Sequence, residues 1–146
     1  MSPDQCAKEV LDVVPAVMRF IRAEMRSHRA AGLSVPQFRT LMYIHRNRDT
    51  SMGGVSTHLG LTPASTSTLV EGLSRRALLV RSECREDRRK VTLSLTPEGR
   101  KAMETALHET HRRLASVLDG LAAAELTVVA QAMALLRPTF AAAAQN

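Results

Sequence analysis

The run that decides the fold is residues 59–80, LGLTPASTSTLVEGLSRRALLV, followed by 81–90, RSECREDRRK, and 91–101, VTLSLTPEGRK. Gly60 stops one helix, and Thr62-Pro63 opens the next as N-cap and first-turn residue. Leu69, Val70 and Leu73 make the apolar side of that next helix, while Ser65, Thr66, Ser67 and Thr68 fill its first turn and a half. Leu78 to Ser82 and Val91 to Leu95 alternate as two strands, with Glu83 to Lys90 as the charged loop between them. A capped helix with small polar residues is thus followed by a hairpin with an arginine-loaded tip.

Upstream, Ser51 or its neighbours start a short helix with Val55 and Leu59 inward, although Gly53 and Gly54 make it poor on propensity. Ser34 caps a helix with Pro36 in its first turn and Phe38, Leu41, Met42 and Ile44 as its apolar side. Residues 8–29 carry Val10, Val14, Val17, Met18, Ile21 and Met25 at helical spacing. Pro15 predicts a kink or a late start there, and Ala30-Ala31-Gly32 ends it. Downstream, Thr96-Pro97-Glu98 starts a fifth helix that runs to about Asp119-Gly120. A sixth spans Ala122 to about Arg137, with Leu126, Val129, Met133 and Leu136 spaced as a stripe.

This order predicts one mainly α domain over residues 1–146 with a small β-hairpin wing. A winged helix-turn-helix lobe covers 35–96, and helices in 5–30 and 97–143 form a dimerisation region. The terminal stripes have little to cover them within so short a chain, and a two-fold homodimer supplies the cover.

The formal net charge is +6, most of it from arginine, which forks onto phosphate and guanine better than lysine does. Two distant cysteines, Cys6 and Cys84, are too few for a disulfide scaffold or a cysteine-rich zinc module. No apolar run reaches the roughly 20 residues of a bilayer span, and the N-terminus lacks a signal pattern. The expectation is a cytoplasmic chain with no membrane partner. Glu104, His108 and His111 share a helical face, but no fourth metal ligand is evident. No phosphate loop or nucleophile motif is present, so neither a cofactor nor enzyme activity is expected.

The chemistry of the central run suits double-stranded DNA. Short hydroxyl side chains let a helix backbone approach base edges, donate or accept there, and meet thymine methyls. Between Arg75 and Lys90 stand seven basic residues (Arg75, Arg76, Arg81, Arg85, Arg88, Arg89, Lys90) against Glu83, Glu86 and Asp87. An Asp87 carboxylate holding the Arg89 guanidinium would pre-set it for a narrow minor groove. The candidate contacts are Thr62, Ser65, Thr66, Ser67, Thr68, Arg75, Arg85, Asp87, Arg88, Arg89 and Lys90.

Leu61-Thr62-Pro63-Ala64-Ser65, Leu69-Val70-Glu71-Gly72-Leu73, Glu86-Asp87-Arg88-Arg89-Lys90-Val91 and Leu95-Thr96-Pro97-Glu98-Gly99-Arg100 together resemble the MarR family of bacterial transcription regulators. The resemblance runs from about residue 10 to 140. It implies a triangular homodimer, a pseudo-palindromic operator, repression, and release by a small phenolic or amphipathic effector. It makes Arg89 the minor-groove arginine and Asp87 its orienting partner. It also implies an effector pocket between the first two helices and the lobe, to which Met18, Arg22, Phe38, Met42 and His45 would contribute. Three positions depart from the pattern: Thr68 and Gly72 replace longer polar residues, and Ala77 stands where a helix-ending glycine is usual. The alternatives are redox sensing through Cys84 or Cys6, with Cys84 beside Arg85, or a winged adaptor that binds proteins and reads no DNA.

Overall fold

Local capping makes the helix starts. In the computed structural model, which describes residues 1–28, 32–83, 86–87 and 89–143, α2 (Val35–Arg46) opens on a full capping box. The Gln37 backbone N–H donates to Ser34 Oγ at 3.3 Å, and the Ser34 N–H donates to Gln37 Oε1 at 2.9 Å. α3 (Met52–Leu59) is capped by Ser51, whose Oγ accepts from the Gly54 N–H at 3.0 Å. α4 (Pro63–Arg75) is capped by Thr62, whose Oγ1 accepts from the Ser65 N–H at 3.1 Å. These caps fall where the sequence placed them.

The ends of α3 and α4 share one geometry. Gly60 and Ala77 both have left-handed backbones, φ +66° and +56°. At each, two N–H groups turn back onto the last carbonyls: Gly60 to Thr57 and Leu61 to Ser56, Ala77 to Ser74 and Leu78 to Leu73. Glycine adopts that conformation without a Cβ penalty; alanine does not.

β2 (Leu79–Glu83) and β3 (Val91–Leu95) form the antiparallel hairpin. A two-residue strand β1 (Thr50–Ser51), which the sequence did not reveal, pairs with β3 at Thr50↔Leu93 and makes the sheet order β1-β3-β2. Leu41, Ile44, Val55, Val70, Leu73, Leu79, Leu93 and Met103 lie in one core beneath α2, α3, α4 and the sheet, with Leu33, Leu78 and Ala106 completing it. Among the described residues, every buried side-chain polar atom has a hydrogen-bond partner.

α1 (Pro3–His28) begins earlier than expected and carries Pro15 inside it. α5 spans Pro97–Leu118, and α6 spans Ala123–Ala143, six residues beyond the expected end and past Pro138. The chain divides into two compact units, Met1–Thr110 and His111–Asn146. No residue of α6 is buried. Folded, this helix is long and apolar enough by length and composition alone to cross a membrane, with a mean hydropathy of 1.4. The sequence reading expected no apolar run of spanning length, and within this helix Glu125 and Arg137 interrupt the apolar residues.

Candidate nucleic-acid interface

The outer face of α4 is narrower than the run of four hydroxyls suggested. Ser65 and Thr68 are exposed, Ser67 is half-buried, and Thr66 is fully buried. The Thr66 hydroxyl donates to the Thr62 carbonyl at 2.9 Å and accepts from Ser56 Oγ at 2.7 Å. It therefore holds α3 against α4 and is unavailable to a base edge, which corrects its place among the candidate contacts. The reason is helical rotation: position 66 falls about 100° from 65 and shares the inward side with Val70 and Leu73. The Thr68 hydroxyl donates to the Ala64 carbonyl at 3.2 Å, so its proton is engaged by the helix backbone and the oxygen is left only its acceptor capacity.

Glu71 and Arg75 extend this exposed face by successive turns and pair weakly at 3.9 Å. Sequence reasoning left Glu71 off the candidate contacts because on this helix it weighed the hydroxyls and Arg75, although a carboxylate accepts from a cytosine amine. Arg81 was also left off the candidate contacts. A shallow cavity of about 320 Å3 lined by Glu71, Ser74, Arg75 and Arg81 brings it from β2 beside the end of α4.

At the wing, Asp87 Oδ1 accepts from the Arg89 backbone N–H at 3.0 Å, and the Lys90 N–H donates to the Asp87 carbonyl at 2.9 Å. The carboxylate thus fixes the backbone that carries Arg89, where the sequence reading expected a bond to the guanidinium. A short side chain two residues upstream in a tight turn reaches an N–H more readily than the end of a long side chain. Arg89 and Lys90 are exposed. With Glu86, Asp49 and the first residues of α3 they line a cavity of about 820 Å3. Cys84, Arg85 and Arg88 lie outside the described residues.

Of the expected effector residues, Phe38 and Met42 pack on the core, and Met18 and Arg22 are exposed on α1. His45 lines a cavity of about 650 Å3, with Arg48, Asp49, Leu93, Leu95 and Arg100 among its walls. On α3, the His58 ring stacks on Tyr43 at 4.4 Å between centroids. Burial, with the Arg39 and Arg46 charges, holds its pKa below the ordinary 6.5. Cys6 is an exposed free thiol on α1.

A capped helix with an exposed hydroxyl face and a hairpin whose arginine is backbone-anchored is the geometry of a winged helix-turn-helix. The model of the MarR family matches residues 31–90, which run from α2 through β2 and stop short of β3. The winged lobe, residues 31–90, is of the MarR family. A MarR-family protein from Bacillus stearothermophilus has a solved structure that superposes with a TM-score of 0.81 at 20% identity, over 97% of this chain and 99% of that one. Two Bacillus subtilis proteins are similar in sequence. The uncharacterized HTH-type transcriptional regulator YfiV is 25% identical over 104 residues, 71% of this chain and 65% of its own length. The uncharacterized HTH-type transcriptional regulator YhbI is 32% identical over 74 residues, 51% of this chain and 48% of its own length. The match spans less than two thirds of either relative. The MarR-family assignment thus rests most firmly on the lobe, where the site geometry also lies.

Proposed function

We propose that this chain is a sequence-specific DNA-binding transcription regulator. It acts as a homodimer on a pseudo-palindromic operator, as a repressor in the cytoplasm that a small amphipathic molecule releases. The observation that carries the reading is the pairing of two elements. α4 presents Ser65, Thr68 and Arg75 on an open face, and the wing holds the Arg89 backbone through Asp87. Short side chains suit the major groove, and an arginine with a fixed root suits the minor groove. The similarity of the lobe to regulators supports the same reading.

The dimer is supported by the terminal helices. Leu11, Val13, Val14 and Val17 are exposed on α1, as are Val128, Met133, Leu135 and Phe140 on α6. Apolar side chains in such number are covered in a working protein. A second copy is the cover that also gives a DNA reader its two-fold symmetry. A bilayer is the rival cover for α6, but it leaves the apolar face of α1 unexplained and buries Arg137 at a cost.

The test is fluorescence anisotropy on DNA from upstream of the protein's own gene against scrambled duplex of equal length, at several salt concentrations. A preference of roughly a thousandfold supports the regulator. Equal, steeply salt-dependent binding to both would mark a nonspecific binder or an operator elsewhere, and no binding at low salt would favour an adaptor. In the same assay Arg89→Ala weakens operator binding and lowers the salt slope by about 1 for each phosphate that the side chain neutralises. Unchanged affinity with an intact fold would remove the wing from the interface.

A further inference from the structure

The end of α4 and the start of α5 meet backbone to backbone. The Thr96 hydroxyl donates to the Ala77 carbonyl at 2.6 Å, and the Thr96 N–H donates to the Leu78 carbonyl at 3.2 Å. Thr96 Oγ1 also accepts from the Gly99 N–H at 3.0 Å, as the cap of α5. Gly99 lies so close that a Cβ placed on it would stand 1.8 Å from the Leu78 oxygen. No side chain fits between the two helix ends. Ala77 and Leu78 are themselves the turn that closes α4, tied back to Ser74 and Leu73. The two carbonyls of the turn that follows α4 therefore rest on the cap residue of α5.

Thr96 does two separable things here. As an acceptor it caps α5, and as a donor it holds the last turn of α4. We propose that the donor role makes Thr96 a positioning residue: it sets the angle of the recognition helix relative to α5, and so the half-site spacing the dimer accepts. The proposal rests on the reading of the chain as a dimeric DNA reader. Leverage gives the effect its size. α4 has 13 residues, about 20 Å at 1.5 Å per residue. A tilt of about 10° at its C-terminal end moves its first turn, with Ser65 and Thr68, by about 3 Å, close to one base-pair step. A loosened latch should leave the contacts to each half-site intact and blur the distance between the two.

The test is in vitro selection from random duplex DNA with the wild-type protein, Thr96→Ser, Thr96→Asp and Thr96→Val, reading both the half-site sequence and the spacing. Serine keeps both roles. Aspartate remains a good N-cap but as a carboxylate has no proton to give Ala77, so α5 stays capped while the latch opens. Valine supports neither role and reports the cost of the cap. Wild type and T96S should return one spacing, with about tenfold or more discrimination against a shift of one base pair. T96D should return the same half-site at two or more spacings, with that discrimination reduced to about threefold or less. The added charge of aspartate lowers affinity for all spacings alike and so does not imitate this result. A single unchanged spacing for T96D, with its melting temperature near that of wild type, would overturn the proposal and reduce Thr96 to a cap. Failure of the wild type to select any paired half-site would overturn the regulator reading instead, and this inference with it.

Discussion

Leu41, Val55, Val70 and Leu73 of the lobe have no accessible surface, whereas Val128 and Leu135 of α6 keep 62% and 73% of theirs. The residue types are nearly the same, and so is the helical spacing that arranges them. In the lobe, α2, α3, α4 and the sheet close around their apolar sides, and each buried polar atom described has a partner. In α6 the apolar residues go all the way round, and no residue is buried. The contrast separates two kinds of helix: one set buries its apolar side within its own unit, and the other keeps its apolar side chains exposed.

The sharpest way to break this comparison is to open the lobe. Leu73→Ala removes a fully buried side chain and should cost about 2–5 kcal/mol in urea unfolding. A loss under about 1 kcal/mol would mean that the lobe is packed as loosely as α6. Next come the two helix ends within the lobe, equal in backbone and unequal in residue. Gly60→Ala adds a Cβ at φ +66° with open space around it, so only backbone strain acts, about 1–2 kcal/mol of lower stability. Ala77→Gly should move the other way, by up to about 1 kcal/mol. If both changes destabilise, the left-handed geometry is not what limits these turns.

A smaller effect is expected from α6. Leu135→Ala, at an exposed position, should leave the unfolding of the lobe within about 0.5 kcal/mol while lowering the dimer fraction in sedimentation equilibrium. A large loss of lobe stability with no change in association would erase the distinction between the two regions. The smallest effect belongs to His58, whose folded pKa lies below 6.5 because of burial and the Arg39 and Arg46 charges. The unfolded chain then takes up this proton first as pH falls. The contribution of neutral His58 is therefore whole above 6.5 and declines from there down to the lowered pKa. Comparing melting temperatures of wild type and His58→Gln from about pH 7.5 to 5 isolates it: the difference should narrow with acid. A difference that widens would reverse the sign of the shift.

Some of this was legible in the residues because the interactions concerned span three or four positions. Ser34 with Gln37, Ser51 with Gly54, and Thr62-Pro63 with Ser65 make helix starts that depend on little else. The hairpin was legible from alternation and a charged loop, and the left-handed turn at Gly60 from glycine itself. The winged architecture therefore followed from sequence alone. Everything decided by contacts distant in the chain did not. β1 is two residues long and exists only because Thr50 and Ser51 meet β3 some forty residues later. Thr66 looked the same as its hydroxyl neighbours until Ser56 and the core claimed it. Arg81 joined Arg75 because β2 returns beside α4, and Gly99 acquired its reason only when its Cα met the Leu78 carbonyl. Local hydrogen bonding determined where elements begin and end; the tertiary packing decided which side of each element faces outward, and so which residues are free to touch a partner.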